Sequence, residues 1–205
     1  MKRSLLLSTV MLGCLNGFAQ QPENAFDIRP VVQPGMTIAG LTFNIGISLG
    51  ATAINDMGEI AFAAYCDGPK IFTSRRIVAM SGEEVDGKFI DLLSVDDPIA
   101  INNNGEVAFY AWYSDTKQIA GNEDPSNLGL FVDHRLAIPA VPWPYPDHFT
   151  LADDGTLSLQ YEKSQPSKPE SLLSMLPTNR HGQMVIPVNL GRGRFVILLA
   201  SPVKH

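Results

Sequence analysis

The sequence has few of the residues that carry covalent or metal chemistry. It contains two cysteines and four histidines in 205 residues. The histidines, at positions 134, 148, 181 and 205, lack the short spacings of a zinc site. The sequence also has no Gly-x-Ser-x-Gly elbow and no glycine-rich phosphate loop before a helix. It therefore predicts no cofactor and no metal, and it does not favour an enzyme.

Long apolar runs and clustered positive charge are also missing. No segment after position 20 has the roughly 20 consecutive apolar residues of a membrane-spanning helix. The net charge is −6, and Arg75-Arg76 is an isolated basic pair, whereas nucleic-acid binding requires a basic surface. We therefore expect no nucleic-acid partner and no transmembrane segment in the mature chain.

The first residues have the pattern of an export signal. Lys2 and Arg3 are basic, Leu5–Leu12 is apolar, and Gly17-Phe18-Ala19 is suited to cleavage. Residues 1–19 are therefore predicted to be a signal peptide. The protein is expected to be exported to the periplasm or the extracellular space.

Cys14 offers an alternative, because a cysteine at the end of a short apolar segment is a candidate for lipid attachment. In either case, Cys66 would be the only other thiol, so no internal disulfide is expected in the mature chain. Residues 20–27 are polar and predicted to be flexible, and residues 28–205 are predicted to form a single domain.

Short apolar runs separated by turn residues make up most of the chain. The sequence has 17 glycines and 15 prolines, and they are spread between these runs. This pattern is typical of many short strands joined by tight turns, so we predict an all-β fold.

A ten-residue phrase is repeated within this pattern. Residues 53–62 read AINDMGEIAF and residues 100–109 read AINNNGEVAF, and weaker copies follow at 151–157 and 178–185. We interpret each copy as a hairpin turn, in which the Asn amide bonds to nearby backbone and the Gly adopts positive φ. The predicted turn residues are Asn55 and Gly58, Asn102 and Gly105, Asp153 and Gly155, and Asn179 and Gly182.

The repeat predicts units of four strands each. The third unit is degraded: a short helix over Ser167–Leu176 is predicted in place of its second hairpin. Arg29–Gly35 resembles Arg76–Gly82, so the first residues of the domain read as the last strand of a unit. If Ile28–Gln33 pairs beside Phe195–Ala200, the two ends complete one sheet. The expected architecture is a small β-propeller of about four blades, closed by this pairing. The alternative is an open or oligomer-completed array.

The two full copies of the phrase resemble a known family. Asn55-x-x-Gly58-x-x-Ala61-Phe62 and its counterpart in residues 102–109 fit the motif of exported bacterial proteins built from tandem NxxGxxAF repeats. The two later copies keep only the turn half of the motif. The resemblance implies a propeller-like β structure, and the family has no agreed biochemical function.

One surface loop departs from the repeat. Residues 142–148 read PWPYPDH, and alternate prolines stiffen the segment and present its aromatic rings. The candidate binding residues are Trp143, Tyr145, Asp147 and His148, for a sugar or a protein partner. The alternative is that Trp143 only covers the core. Trp112 and Tyr113, at a strand end, are interpreted as packing residues.

These observations predict an exported, non-enzymatic binding or structural-interaction module at the cell envelope. Its partner would be an unidentified protein or glycan. The alternative is a carbohydrate-binding or carbohydrate-processing propeller that uses the loop at 142–148. Oligomerisation is expected if the ring does not close.

Gly105→Val is predicted to destabilise the domain more than Asn103→Ala, because only the first change puts a β-branched side chain at positive φ. Thermal melting of the two variants tests this. Equal melting temperatures would contradict the turn assignment.

Overall fold

The computed structural model describes residues 26–43, 48–117, 127–141, 144–161, 176–191 and 194–203. These residues form an all-β structure of 17 strands without a helix. Within them, no helical segment has the length and apolarity needed to cross a membrane. The predicted signal peptide, Cys14 and all but the last residue of the helix predicted over Ser167–Leu176 lie outside the described residues.

The strands are short and connected mostly by hairpins. In chain order they are β1 (Phe26–Val32), β2 (Thr37–Ile38), β3 (Leu41–Thr42), β4 (Ser48–Ile54), β5 (Ile60–Tyr65), β6 (Pro69–Thr73), β7 (Ile77–Met80), β8 (Glu84–Val85), β9 (Lys88–Leu93), β10 (Ile99–Ile101), β11 (Val107–Ser114), β12 (Asn127–Val132), β13 (Arg135–Ile138), β14 (His148–Leu151), β15 (Leu157–Gln160), β16 (Met184–Gly191) and β17 (Arg194–Pro202).

The strands form four main antiparallel sheets. Sheet 1 has the order β4-β5-β6-β7, and sheet 2 has the order β13-β12-β11-β9-β8 with β10 also paired to β11. Sheet 3 is the hairpin β14-β15, and sheet 4 has the order β1-β17-β16. The small hairpin β2-β3 stands apart from these four.

The predicted pairing of the two ends of the domain is present in sheet 4. Ile28 lies opposite Ala200, in an antiparallel ladder between β1 and β17. The strand begins at Phe26, opposite Pro202, so the last two residues of the segment predicted to be flexible are strand residues. They are ordered because β17 is nine residues long and extends far enough to pair with them. Pro30 is tolerated because β1 is an edge strand whose register shifts just after it.

The predicted correspondence between Arg29–Gly35 and Arg76–Gly82 is also present. Gly35 and Gly82 both have positive φ, at 87° and 84°. Each donates its N–H to the carbonyl of the residue eight positions later. Gly35 donates to Phe43 at 2.6 Å, and Gly82 donates to Ile90 at 2.7 Å. The β2-β3 and β8-β9 hairpins therefore follow β1 and β7 in the same way.

The core lies between the faces of neighbouring sheets. Residues of β5 alternate: Ile60, Phe62 and Ala64 pack toward sheet 4, whereas Ala61 and Ala63 pack toward sheet 2. Both faces of β5 are buried, which explains its continuous apolar sequence. A third cluster lies between sheets 2 and 3. The sheets are thus packed in the order 4, 1, 2, 3.

Sheets 1 and 2 make a close backbone contact at Gly50. The neighbouring Ala51 donates its N–H to the Val95 carbonyl at 2.7 Å. A Cβ at Gly50 would lie 1.8 Å from that carbonyl oxygen, so only glycine fits without displacing the backbone. The contact sets the distance between β4 and the segment that connects β9 to β10.

Gly50→Ala is expected to destabilise the protein by about 3 kcal/mol or more, because the added methyl overlaps backbone atoms that have no room to move. Gly35→Ala is the matched control. It has φ +87° and nothing within 4 Å of the added Cβ, so it carries only a conformational cost of about 1–2 kcal/mol. Urea unfolding of both variants measures the difference. Similar unfolding free energies would contradict the close contact.

Candidate functional site

The four copies of the repeated phrase form four equivalent turns. In each turn the glycine donates its N–H to the carbonyl three residues earlier, at 3.0 to 3.1 Å. The glycines are Gly58, Gly105, Gly155 and Gly182, with φ of 77°, 80°, 81° and 72°. We number the turns in chain order: turn 1 is residues 55–58, turn 2 is 102–105, turn 3 is 152–155 and turn 4 is 179–182.

The repeated asparagines also connect the turns to one another. The Nδ2 of Asn179 donates to the Asn55 carbonyl at 2.8 Å, and the Nδ2 of Asn55 donates to the Asn102 carbonyl at 2.8 Å. The Nδ2 of Asn102 donates to the Ala152 carbonyl at 3.1 Å. The three asparagines are between 2% and 9% exposed. The interpretation of Asn as a local turn residue was therefore incomplete, because each buried amide also holds the next turn.

Each asparagine keeps its local role as well. Its Oδ1 accepts the backbone N–H of the residue four positions on, at 2.8 to 3.1 Å. One side chain thus satisfies its own turn with the oxygen and the neighbouring turn with the nitrogen. Because a carboxylate has no N–H to donate, aspartate at this position would lose the second bond.

A second series of bonds joins the next residue of each turn. The N–H of Asp56 donates to Oδ1 of Asn103 at 2.9 Å, and the N–H of Asn103 donates to Oδ1 of Asp153 at 2.8 Å. The N–H of Arg180 donates to Oδ1 of Asp56 at 3.0 Å, and the two side chains form an ion pair at 2.9 Å. Hydrogen bonds from Asn103 hold the pKa of Asp153 below its usual range, and the charge of Arg180 acts in the same direction.

The turns are thus largely engaged with each other, and their polar groups serve assembly. The strand segments that lead into the turns instead surround a cavity of about 470 Å³, within the range of small-molecule sites. Its lining comes from all four sheets or the residues beside them: Gly50, Ala51, Thr52, Asp96, Pro98, Ile99, Asp147, His148, Leu176, Pro177 and Pro187. We call this space the inner cavity.

The lining of the inner cavity is acidic and apolar. Among the described residues, its ionisable side chains are Asp96, Asp147 and His148, and none of these lining residues is a lysine or arginine. Most of the remaining lining residues are proline or aliphatic. The cavity can therefore offer carboxylate and imidazole groups against an apolar wall.

The loop that supplies Asp147 and His148 is held against sheet 2 by Tyr145. The Tyr145 hydroxyl donates to Oδ1 of Asp97 at 3.1 Å, and its ring lies 5.2 Å from the ring of Tyr110. Burial raises the pKa of Asp97, and the hydrogen bond from Tyr145 opposes that shift. Tyr145 therefore positions the loop and does not line the inner cavity.

The structure separates the residues predicted for the binding loop. Asp147 and His148 line the inner cavity, Tyr145 packs beneath the loop, and Trp143 lies outside the described residues. Trp112, interpreted as a packing residue, is 38% exposed and lies opposite Leu92, which is 52% exposed. Tyr113 was also interpreted as a packing residue, and this is confirmed. It is buried, with its ring 5.7 Å from the ring of Phe131.

Sequence reasoning missed Asp96. The repeat contains a signal for it, because Asp96-Asp97-Pro98 stands 47 residues after Leu49-Gly50-Ala51. Gly50 lies at a register shift of β4, and Asp96 lies between β9 and β10, where the strand of sheet 2 is interrupted. A charged pair where the preceding unit has small and apolar residues marks a departure from the repeat.

Two further observations limit the chemistry of the described residues. Among them, no three His, Cys, Asp or Glu side chains are grouped so as to hold a metal ion. The thiol of Cys66 is buried, and burial raises its pKa. A raised pKa keeps this thiol protonated and poorly nucleophilic.

No protein-family model, curated protein or solved structure matches this chain. The resemblance to tandem NxxGxxAF proteins therefore stays a prediction from the motif.

Asn55→Ala is expected to cost about 2–3 kcal/mol, because it removes one buried and one partly buried hydrogen bond and leaves the Glu59 N–H without its acceptor. Met57→Ala in the same turn is the control. Met57 is 76% exposed, so its truncation is expected to change stability by less than about 0.5 kcal/mol. Urea unfolding measures both. A cost for Asn55→Ala no greater than that for Met57→Ala would show that the bonds between turns contribute nothing.

Proposed function

We propose that this protein is an exported, non-enzymatic binding module of the cell envelope that binds a small ligand in the inner cavity. The observation that supports the proposal is the cavity itself, an open space of about 470 Å³ lined by segments from all four sheets. Pockets of this size with an apolar lining and a few convergent polar groups are the usual form of small-ligand sites.

The proposed architecture is a β-propeller-like array of four units in which the third is reduced. It is supported by the pairing of β1 with β17, which joins the two ends of the domain in one sheet. It is also supported by the bonds that connect turns 4, 1, 2 and 3 in that order. In such an array the inner cavity lies on the central axis, where propellers have a channel.

The lining favours a ligand with a positive charge and an apolar part. Asp96 and Asp147 bring two carboxyl groups to the cavity, and among the described residues no lysine or arginine lines it. Pro98, Ile99 and Pro177 offer apolar contact beside them. An organic amine satisfies both features, whereas an organic anion of the same shape would be repelled.

A carbohydrate ligand is the second candidate. The side chain of Trp112 is exposed, and it lies two residues after Tyr110 on β11, on the same face of the strand. Tyr145 packs on that face, so Trp112 belongs to the side of sheet 2 that carries the binding loop. An exposed aromatic ring is suited to stacking on the face of a sugar.

The proposal predicts that n-hexylamine binds and that hexanoate, which has a similar chain and the opposite charge, does not. Isothermal titration calorimetry and thermal shift measure both ligands, with a neutral disaccharide as a third. Asp96→Asn and Asp147→Asn are each expected to weaken amine binding about tenfold, or about 1.4 kcal/mol. Asp27→Asn is the control, because Asp27 is an exposed residue of β1 and does not line the cavity.

Binding of the disaccharide without the amine, weakened by Trp112→Ala, would favour the carbohydrate candidate. Amine binding that Asp96→Asn and Asp147→Asn leave unchanged would place the site elsewhere. Absence of saturable binding for all three probes would contradict the proposed ligand classes.

A further inference from the structure

Turns 4, 1, 2 and 3 are connected in that order, and each of the three consecutive pairs has the same two bonds. We call each such pair a joint and name it by its turns: 4–1, 1–2 and 2–3. In each joint the first residue of one turn donates a side-chain amide to the next turn's first carbonyl, at 2.8 to 3.1 Å. In each, a backbone N–H donates to the side chain at the second position of the neighbouring turn, at 2.8 to 3.0 Å.

Turns 3 and 4 stand at the two ends of this series, and segments beside both of them line the inner cavity. We call this pair joint 3–4, although its residues cannot make the two bonds. Ala152 occupies the position of the repeated asparagine, and its methyl group has no N–H to donate to the Asn179 carbonyl. Arg180 occupies the position that would accept the N–H of Asp153, and a guanidinium has no acceptor. Joint 3–4 therefore lacks both of the bonds found at the other joints, because Ala152 has no donor and Arg180 has no acceptor.

Burial and packing differ at the same place. Asn55, Asn102 and Asn179 are buried, whereas Ala152 is exposed. In the described part of the chain, buried apolar clusters join sheets 4 and 1, sheets 1 and 2, and sheets 2 and 3, and none joins sheets 3 and 4. Neither the bonds between turns nor these clusters hold turn 3 against turn 4.

We propose that joint 3–4 is the place where the turn array opens and closes, and that this movement changes the width of the inner cavity. Asp147 and His148 belong to the side of sheet 3, whereas Leu176 and Pro177 lead into turn 4. Separation of turns 3 and 4 therefore moves two parts of the cavity wall apart. The effect on a ligand rests on the proposed function, but the mobility of the joint does not.

The charge of Arg180 reaches turn 3, where it helps to lower the pKa of Asp153, although its ion pair is with Asp56 of turn 1. Arg180 and Asp153 carry opposite charges on neighbouring turns, and both are exposed. Attraction between exposed charges is screened by salt, with a Debye length of about 10 Å at 0.1 M. Salt is thus expected to favour the open form at joint 3–4. It also screens the Arg180–Asp56 ion pair of joint 4–1, but the amide bond from Asn179 still holds that joint.

The test measures distances across two joints that share one spin label. Nitroxides are attached at Thr150 and His181 for joint 3–4, and at Met57 and His181 for joint 4–1, in a background with Cys14→Ala and Cys66→Ala. The labelled side chains are exposed, so labelling does not disturb the core. Distance distributions are recorded by electron paramagnetic resonance at low and high salt.

Ala152→Asn restores the missing amide donor, and Ala152→Leu adds similar bulk without it. We expect a broad distribution for Thr150–His181, broader at high salt, that narrows to the width of Met57–His181 in Ala152→Asn but not in Ala152→Leu. We also expect Ala152→Asn to raise the melting temperature by about 2–4 °C, as one added bond would in a chain of this size. Equal widths across the two joints in the wild type, or equal narrowing by Asn and Leu, would overturn the proposal.

The consequence for binding is measured separately. If n-hexylamine binds, Ala152→Asn is expected to slow both its association and its dissociation, because the cavity opens less often. Unchanged rates in a variant whose distribution has narrowed would overturn the link to the cavity while leaving the mobile joint intact. If no probe binds, the proposed ligand fails, and the distance distributions still decide whether the joint moves.

Discussion

The buried carboxamide of the repeated asparagine is the interaction on which the arrangement of the sheets depends. A side-chain amide removed from water must have its donors and acceptor bonded, since each unpaired group costs about 1–3 kcal/mol. Asn55 meets this requirement only when turn 1 lies beside turn 2, because its Nδ2 bonds to the Asn102 carbonyl. The same requirement places turn 4 beside turn 1 and turn 2 beside turn 3. Apolar packing between the sheets is less directional, so the amides set which turns meet.

The ends of the inner strands away from the turns are built differently. There β4 changes register between Leu49 and Thr52, and sheet 2 is interrupted between β9 and β10. Regular pairing is lost where the four sheets approach each other, and the inner cavity lies at that place. One end of the array is therefore held by repeated bonds, while the other is free to vary its residues and to carry acidic side chains.

The departures from the repeat have physical consequences of different kinds. Asp96 and Asp147 bring carboxyl groups into a lining that has no lysine or arginine in the described part of the chain. Ala152 and Arg180 remove donor and acceptor from one joint and leave an attraction between exposed charges in their place. A closed array of identical units would have neither an asymmetric cavity nor a preferred place to open. The function we propose therefore depends on the positions where the sequence departs from the repeat.

The sequence by itself determined the local structure. Glycine at the fourth turn position, alternating apolar residues and the match between Arg29–Gly35 and Arg76–Gly82 were sufficient to predict the all-β fold, the turns and the pairing of the two ends. The fold class and the turns follow from backbone conformation and period-two burial, which act over a few residues. The pairing of the two ends follows from the repeat, because the match makes the first strand of the domain the last strand of a unit. Only the tertiary structure decided which groups meet across sheets. The hydrogen bond from Asn55 to Asn102 and the packing of Tyr145 on Tyr110 join residues about 35 to 50 positions apart, and Asp96 and Asp147, equally distant in sequence, line one cavity. Their partners are set by how the sheets stack, and a local pattern carries no information about that.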